Sequence, residues 1–201
     1  MAIDFLRDGP EGGSPLLLAH GAGAAMDSEF MNFNAAGLAA KGLRVLRFEF
    51  PYMAARRVDG KRRPPDREAV LLDTWRAAVR ECGAEKPFIG GKSMGGRMAS
   101  MVADEVGAAG LVCLGYPFHP PGRPDRLRTA HLAELKTRTL MVQGTRDTFG
   151  TVEDVAGYTL SPQIQFHWVE GGNHDLRASG ATKAASWGAV QEAVAAFVDA
   201  G

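Results

Sequence analysis

Three residues far apart in this sequence, Ser93, Asp147 and His174, are of the types that together can attack a carbonyl carbon. A serine hydroxyl is a poor nucleophile at its own pKa and needs an adjacent base. Imidazole has the right pKa for that work, and a carboxylate can hold the ring in the tautomer that offers a lone pair to the hydroxyl. The serine lies in Gly91-Lys92-Ser93-Met94-Gly95, where the apolar run Pro87 to Ile89 meets a helix-compatible segment. In a G-x-S-x-G turn the serine is strained and lifted above the sheet, and side chains two residues before or after it would collide. The hydroxyl then sits at a helix N-terminus, where unpaired N–H groups and the helix dipole favour negative charge. The same residues end like a phosphate-binding loop. The first glycine of G-x-x-x-x-G-K-[ST] would fall on Lys86, however, which excludes a nucleotide site.

His174 follows Gly171, Gly172 and Asn173 in a loop suited to carry a ring over the serine. His167 lies within a strand and is expected to pack. His131 is expected on an exposed helix, and His20 is expected to brace its loop rather than act chemically. Asp147 is preferred to Asp125 and Asp154 as the orienting acid because it closes a strand. It is preferred to Asp175 because Asp175 adjoins His174, and neighbouring side chains rarely face one another. Attack on a carbonyl creates an oxyanion. The N–H of Met94 and that of Ala22, with Gly23 as second choice, are expected to hold it. Ala22 and Gly23 belong to the small-residue run His20-Gly21-Ala22-Gly23. Tyr52, Met53, Phe118 and His119 are candidate walls of the substrate pocket.

The elements that must position these groups are legible as period. Pro15 to His20, Leu43 to Phe50, Phe88 onward, Leu111 to Tyr116, Thr139 to Gln143 and Ile164 to Val169 are short apolar or alternating runs of strand type. A shorter piece covers Ile3 to Leu6. Helical patterns occupy Ser28 to Lys41, Asp66 or a near neighbour to about Glu81, Met94 to Val106, and Ala181 to Ala200. Val70, Leu71, Trp75 and Val79 are the expected apolar face of the second of these. Brief helices are expected around His131 to Leu135 and Thr151 to Gly157. Residues 53–66 read as a polar loop, and Pro117 to Pro124 as irregular chain. Strands alternating with helices predict an α/β fold, a mainly parallel sheet with helices on both faces. Sites in such sheets form at the carboxyl ends of strands. His20 with Gly21, Ser93, Asp147 and His174 all fall there.

The chain has 201 residues, 45% hydrophobic and 23% charged, which suits one domain spanning 1–201. Lys plus Arg and Asp plus Glu are 23 each, so there is no bulk basic footprint for nucleic acid. Cys82 and Cys113 make no metal spacing and read as buried thiols of a reducing compartment. No basic start followed by an apolar stretch suggests a signal peptide, and no apolar run approaches the roughly 20 residues of a membrane span. The expectation is a cytoplasmic protein acting on a small molecule, without metal or cofactor. The basic stretch Arg56 to Arg63 suggests an alternative, a non-catalytic binding module for an acidic partner.

His20 to Gly23, Gly90 to Arg97 and Gly144 to Asp147 together resemble the α/β-hydrolase superfamily, in which the three active residues follow the order serine, acid, histidine. More narrowly they resemble a small intracellular, dienelactone-hydrolase-like branch related to the hydrolase-like domain of a chromatin-complex subunit. The similarity covers about residues 14–199. Dienelactone hydrolases themselves use a cysteine nucleophile, where this chain has Ser93. The resemblance implies a minimal α/β-hydrolase fold without a large lid, and a serine hydrolase that cleaves a small ester through a Ser93–His174–Asp147 triad and an acyl-enzyme.

Overall fold

The structure, a computed structural model, describes residues 2–201. Its strands are β1 (Leu6–Asp8), β2 (Pro15–Ala19), β3 (Arg44–Phe48), β4 (Phe88–Lys92), β5 (Gly110–Leu114), β6 (Thr139–Gly144) and β7 (Ile164–Val169). They form one seven-stranded sheet in the order β1-β3-β2-β4-β5-β6-β7. Every pair is parallel except β1 with β3, which is antiparallel. Helices α1 (Glu29–Ala40), α2 (Pro51–Asp59), α3 (Glu68–Glu81), α4 (Met94–Val102), α5 (Val152–Ala156) and α6 (Lys183–Asp199) connect and cover the strands.

The period of two along each strand sorts its side chains to opposite faces. Leu16, Leu18, Val45, Val112, Leu114 and Val142 meet Met31, Ala35 and Leu38 of α1 and Trp187, Val190, Val194 and Phe197 of α6. Leu17, Leu46, Ile89, Leu111, Cys113 and Met141 meet Leu71, Trp75 and Ala78 of α3 and Met98, Ala99 and Val102 of α4. Both faces of the sheet are therefore buried, as expected of parallel strands joined by helices. Among the described residues, no lid covers the carboxyl edge. Among the described residues, no helix is long and apolar enough to cross a membrane.

From β2 the chain steps outward to β3, then returns to β4 on the other side of β2. The two crossovers diverge at that point and leave a crevice above the carboxyl ends of β2 and β4. Ser93 follows β4, and Gly21 to Gly23 follow β2.

The structure differs from the sequence reading in several places. The expected loop at 53–66 begins as α2. Pro51, the residue after the run Leu43 to Phe50, stands at the first helical position, where its fixed φ and missing N–H are suited. Gly60, with φ 70°, ends the helix in the left-handed conformation. Of the expected start at Asp66 or a near neighbour, the neighbour Arg67 is the N-cap of α3, and Asp66 serves elsewhere. Its carboxylate reaches back to accept the N–H of Tyr52 (2.8 Å), near the start of α2. Val70 points to solvent, and Ala78 takes the buried place on α3. The first strand is Leu6–Asp8 rather than Ile3 to Leu6, because Asp8 pairs with Arg47 of β3 (2.8 Å) as the backbones align. α4 ends at Val102 rather than Val106, and the piece at His131 is a single 3₁₀ turn, Ala130–Ala133.

Trp75 ties the α3 layer to the turn that carries Ser93. Its ring is fully buried and edge-on to Phe48, with centroids 4.8 Å apart. Its Nε1–H donates to the Gly95 carbonyl at 3.3 Å. Trp75→Ala is expected to cost about 3–5 kcal/mol, which for a chain of this size lowers Tm by roughly 10 °C. Thermal unfolding followed by circular dichroism reads this directly. An unchanged Tm would contradict the packing described.

Candidate active site

Ser93 has φ 51° and ψ −115°, a conformation that L-residues rarely adopt. The turn is possible because backbone lies against backbone around it. A Cβ on Gly91 would stand 2.2 Å from the Ala19 carbonyl oxygen, and one on Gly95 would stand 2.4 Å from the same atom. The Ser93 N–H donates to Leu114 O (2.9 Å), and the Arg97 N–H to Ser93 O (3.0 Å). The serine is thus pinned between β5 and the first turn of α4, with its side chain half-exposed above the sheet.

His174 arrives from the loop after β7. Its Nε2 lies 2.9 Å from Ser93 Oγ, and its Nδ1 lies 2.8 Å from Asp147 Oδ2. Asp147, after β6, has no solvent exposure. Its Oδ1 accepts the Phe149 N–H (2.9 Å), and its Oδ2 also accepts Gln143 Nε2 (2.9 Å). A carboxylate buried this fully must find its hydrogen bonds in the protein. With Asp147 accepting at Nδ1, the neutral ring carries its proton there and turns the Nε2 lone pair to the serine. The Phe149 ring covers the imidazole, with centroids 4.4 Å apart.

The loop after β2 lies over the same turn. A Cβ on Gly21 would stand 3.7 Å from that of Ser93. His20 is fully buried. Its Nε2 accepts the Phe50 N–H (3.2 Å), so Nδ1–H donates to Gly21 O (2.7 Å). Burial pushes the His20 pKa down and keeps the ring neutral. Tyr52 OH donates to Ala22 O at 2.9 Å. The loop's carbonyls are therefore held from below, while Ala22 and Gly23 themselves are exposed. Met94 opens α4, so its N–H has no intrahelical acceptor.

Two clefts flank Ser93. One, of about 350 Å³, is lined by Ala22, Met94, Pro117 and Phe149 together with Arg97 and Arg128. The other, of about 280 Å³, is lined by Gly23, Phe30, Lys92, His174 and Asp175. The four expected wall residues line neither. Tyr52 lies under the Ala22 loop. Met53 lines a separate cleft with Arg56 and Arg57. Phe118 is fully buried against Tyr116 and Tyr158. His119 is 5% exposed, with Nδ1 2.9 Å from Pro120 O. His131 is half-buried rather than exposed, its Nε2 2.8 Å from Ser100 Oγ. Arg57 pairs with Asp27 (2.6 Å) and Glu49 (2.7 Å), and Arg63 with Asp59 (2.5 Å). Two of the five cations in the Arg56 to Arg63 stretch, Arg57 and Arg63, are thereby paired within the chain. Among the described residues, no group of three or more His, Cys, Asp or Glu could hold a metal ion.

Two neighbours of the site escaped the sequence reading. Gln143 spans the Asp147 carboxylate and the Tyr116 N–H, which its Oε1 accepts at 2.7 Å. An uncharged residue inside an apolar strand carries no signal for that. Lys92 is 8% exposed, and its Nζ donates to the His174 carbonyl (2.8 Å) and lies 3.6 Å from Asp175 Oδ1. The signal available was a lysine closing a strand whose every residue is buried.

Comparison with known proteins gives the same architecture. A family model described as an alpha/beta hydrolase domain matches residues 13–199. A serine hydrolase without a lid from Xanthomonas campestris superposes with TM-score 0.71 at 18% identity, covering 98% of this chain and 88% of that one. A dienelactone hydrolase from Anabaena variabilis gives 0.73 at 18% identity, covering 97% and 90%. The esterase domain of a Rhodothermus marinus protein gives 0.68 at 17%, covering 98% of each. At such identities the likeness is one of fold.

Burial pushes the Lys92 pKa below its ordinary 10.5, against the pull of Asp175 and Asp147. The unfolded chain then holds this proton more tightly than the folded one. The buried charge lowers stability near neutrality, and that loss disappears as pH rises through the folded-state value toward 10.5. Lys92→Met removes the effect. The unfolding free energy of Lys92→Met minus that of wild type, measured in urea, is therefore expected to fall between neutrality and about pH 10. A difference constant over that range would contradict the burial of a charged lysine.

Proposed function

This chain belongs to the alpha/beta hydrolase domain family, and we propose that within it the protein is a serine hydrolase acting on small carboxylic esters. The observation that carries the reading is the continuous hydrogen-bonded relay of Ser93, His174 and Asp147, with 2.9 and 2.8 Å between successive partners.

In the proposed reaction, Ser93 Oγ attacks the carbonyl carbon while its proton passes to His174 Nε2. Asp147 steadies the imidazolium through Nδ1–H and stays ionised. The Met94 and Ala22 N–H groups, with Gly23 beside them, stabilise the oxyanion, and the dipole of α4 adds to the same field. The proton on Nε2 then goes to the departing alcohol, leaving Ser93 acylated. Water repeats the sequence, with His174 taking its proton and returning it to Ser93, and releases the acid. The absence of a lid leaves Ser93 half-exposed and suits a small or loosely held substrate. Cys82 and Cys113, free and buried, fit the cytoplasm as the place of action.

A fluorophosphonate probe is expected to label Ser93 and to leave Ser93→Ala unlabelled. In a panel of p-nitrophenyl esters, hydrolysis should favour short acyl chains. Asp147→Asn, which removes the acceptor that selects the tautomer, should lower kcat by roughly three to four orders of magnitude. A wild-type protein that does not react at Ser93 would refute the proposal.

A further inference from the structure

The cleft of about 350 Å³ beside Ser93 contains cations that the proposed chemistry does not use. Arg128, in the irregular chain before the 3₁₀ turn, is half-buried in its wall. Among the described residues its guanidinium makes no ion pair and no hydrogen bond, and only its backbone N–H and carbonyl are engaged. Burial, and then the like charge of Arg97, work against the Arg128 cation. Arg97, one turn into α4 from Ser93, pairs through NH2 with Glu68 at 2.8 Å, yet its Nε is buried without a partner. Asp66, the other carboxylate of this wall, is engaged by the Tyr52 N–H. A planar guanidinium with unmet donors, sharing a cleft wall with a second one, is a receptor for a carboxylate.

The relay indicates which part of the substrate lies here. The leaving alcohol must receive its proton from His174 Nε2, so it departs through the cleft that His174 lines. The cleft with the arginines is lined by Ser93, Met94 and Ala22 and not by His174. It receives the acyl chain. We propose that the acyl chain of the substrate ends in a free carboxylate, which Arg128 binds in the cleft that it shares with Arg97, so that the preferred substrates are half-esters of short dicarboxylic acids. This deepens the serine-hydrolase reading and rests on it.

The test compares kcat/KM for the p-nitrophenyl half-esters of succinate and glutarate with their neutral methyl-capped counterparts, within each variant, so that a general loss of activity cancels. A charge-assisted hydrogen bond predicts a wild-type preference for the carboxylate of roughly 10- to 100-fold. Arg128→Gln should bring that ratio to about one, with Arg128→Lys between. Free glutarate should also slow fluorophosphonate labelling of wild-type Ser93 and have no such effect in Arg128→Gln. If neutral esters are turned over by a Ser93-dependent route with no preference for the carboxylate, the inference fails and the hydrolase reading stands. A stronger preference for a phosphonate-ended ester overturns the choice of carboxylate. Failure of both labelling and turnover overturns the inference together with the reading beneath it.

Discussion

The close approach of the β4–α4 turn to the backbone of β2 is the constraint on which the rest depends. Holding a serine at φ 51° costs on the order of 1–3 kcal/mol, and such strain persists only where the surroundings over-determine it. Here they do. Gly91 and Gly95 both lie against the Ala19 carbonyl, closer than any side chain could come. The same contact brings the Gly21–Gly23 loop over Ser93, since that loop is the continuation of β2. Ser93 and the loop that carries the Ala22 and Gly23 N–H groups are therefore placed by one packing event. Bulky residues in the turn would separate them together.

The imidazole of His174 is positioned by a different means. His174 stands on a loop, and loops by themselves do not fix a ring to within a few tenths of an ångström. Precision comes from the buried Asp147 carboxylate, whose oxygens are shared among the Phe149 N–H, Gln143 and His174. Each partner is attached to firm structure. Gln143 lies in β6, and Phe149 caps the ring from above. A buried charge satisfied by only some of these groups would be destabilising. The network is thus specific because it is complete.

How far the sequence could be read depended on how local the determining physics was. The glycines around Ser93, the apolar runs of the strands and the order of the elements act over a few residues, and the parallel sheet with helices on both faces follows from them. The side chains at positions 93, 147 and 174 could be singled out because each closes a strand or follows one. α2 was hidden because Pro51 serves equally to end a strand and to begin a helix, and only the packing of Tyr52 and Met53 decides between them. The walls of the clefts were hidden for a related reason. Tyr52, Phe118 and His119 stand near strand ends, but which way a side chain turns there is set by neighbours distant in sequence. Gln143 and Lys92 belong to the same class. Their importance lies in what faces them, and composition and spacing hold no trace of it.

Lys92 immediately precedes Ser93 in the chain and grips the carbonyl of His174. Strand β4, at the middle of the sheet, is in this way moored to the loop that leaves its far edge. One hydrogen bond thus joins the residue before Ser93 to the residue that carries the imidazole. Across an open cleft, this ammonium braces the segments that carry the Ser93 hydroxyl and the His174 imidazole, whose Oγ and Nε2 stand 2.9 Å apart.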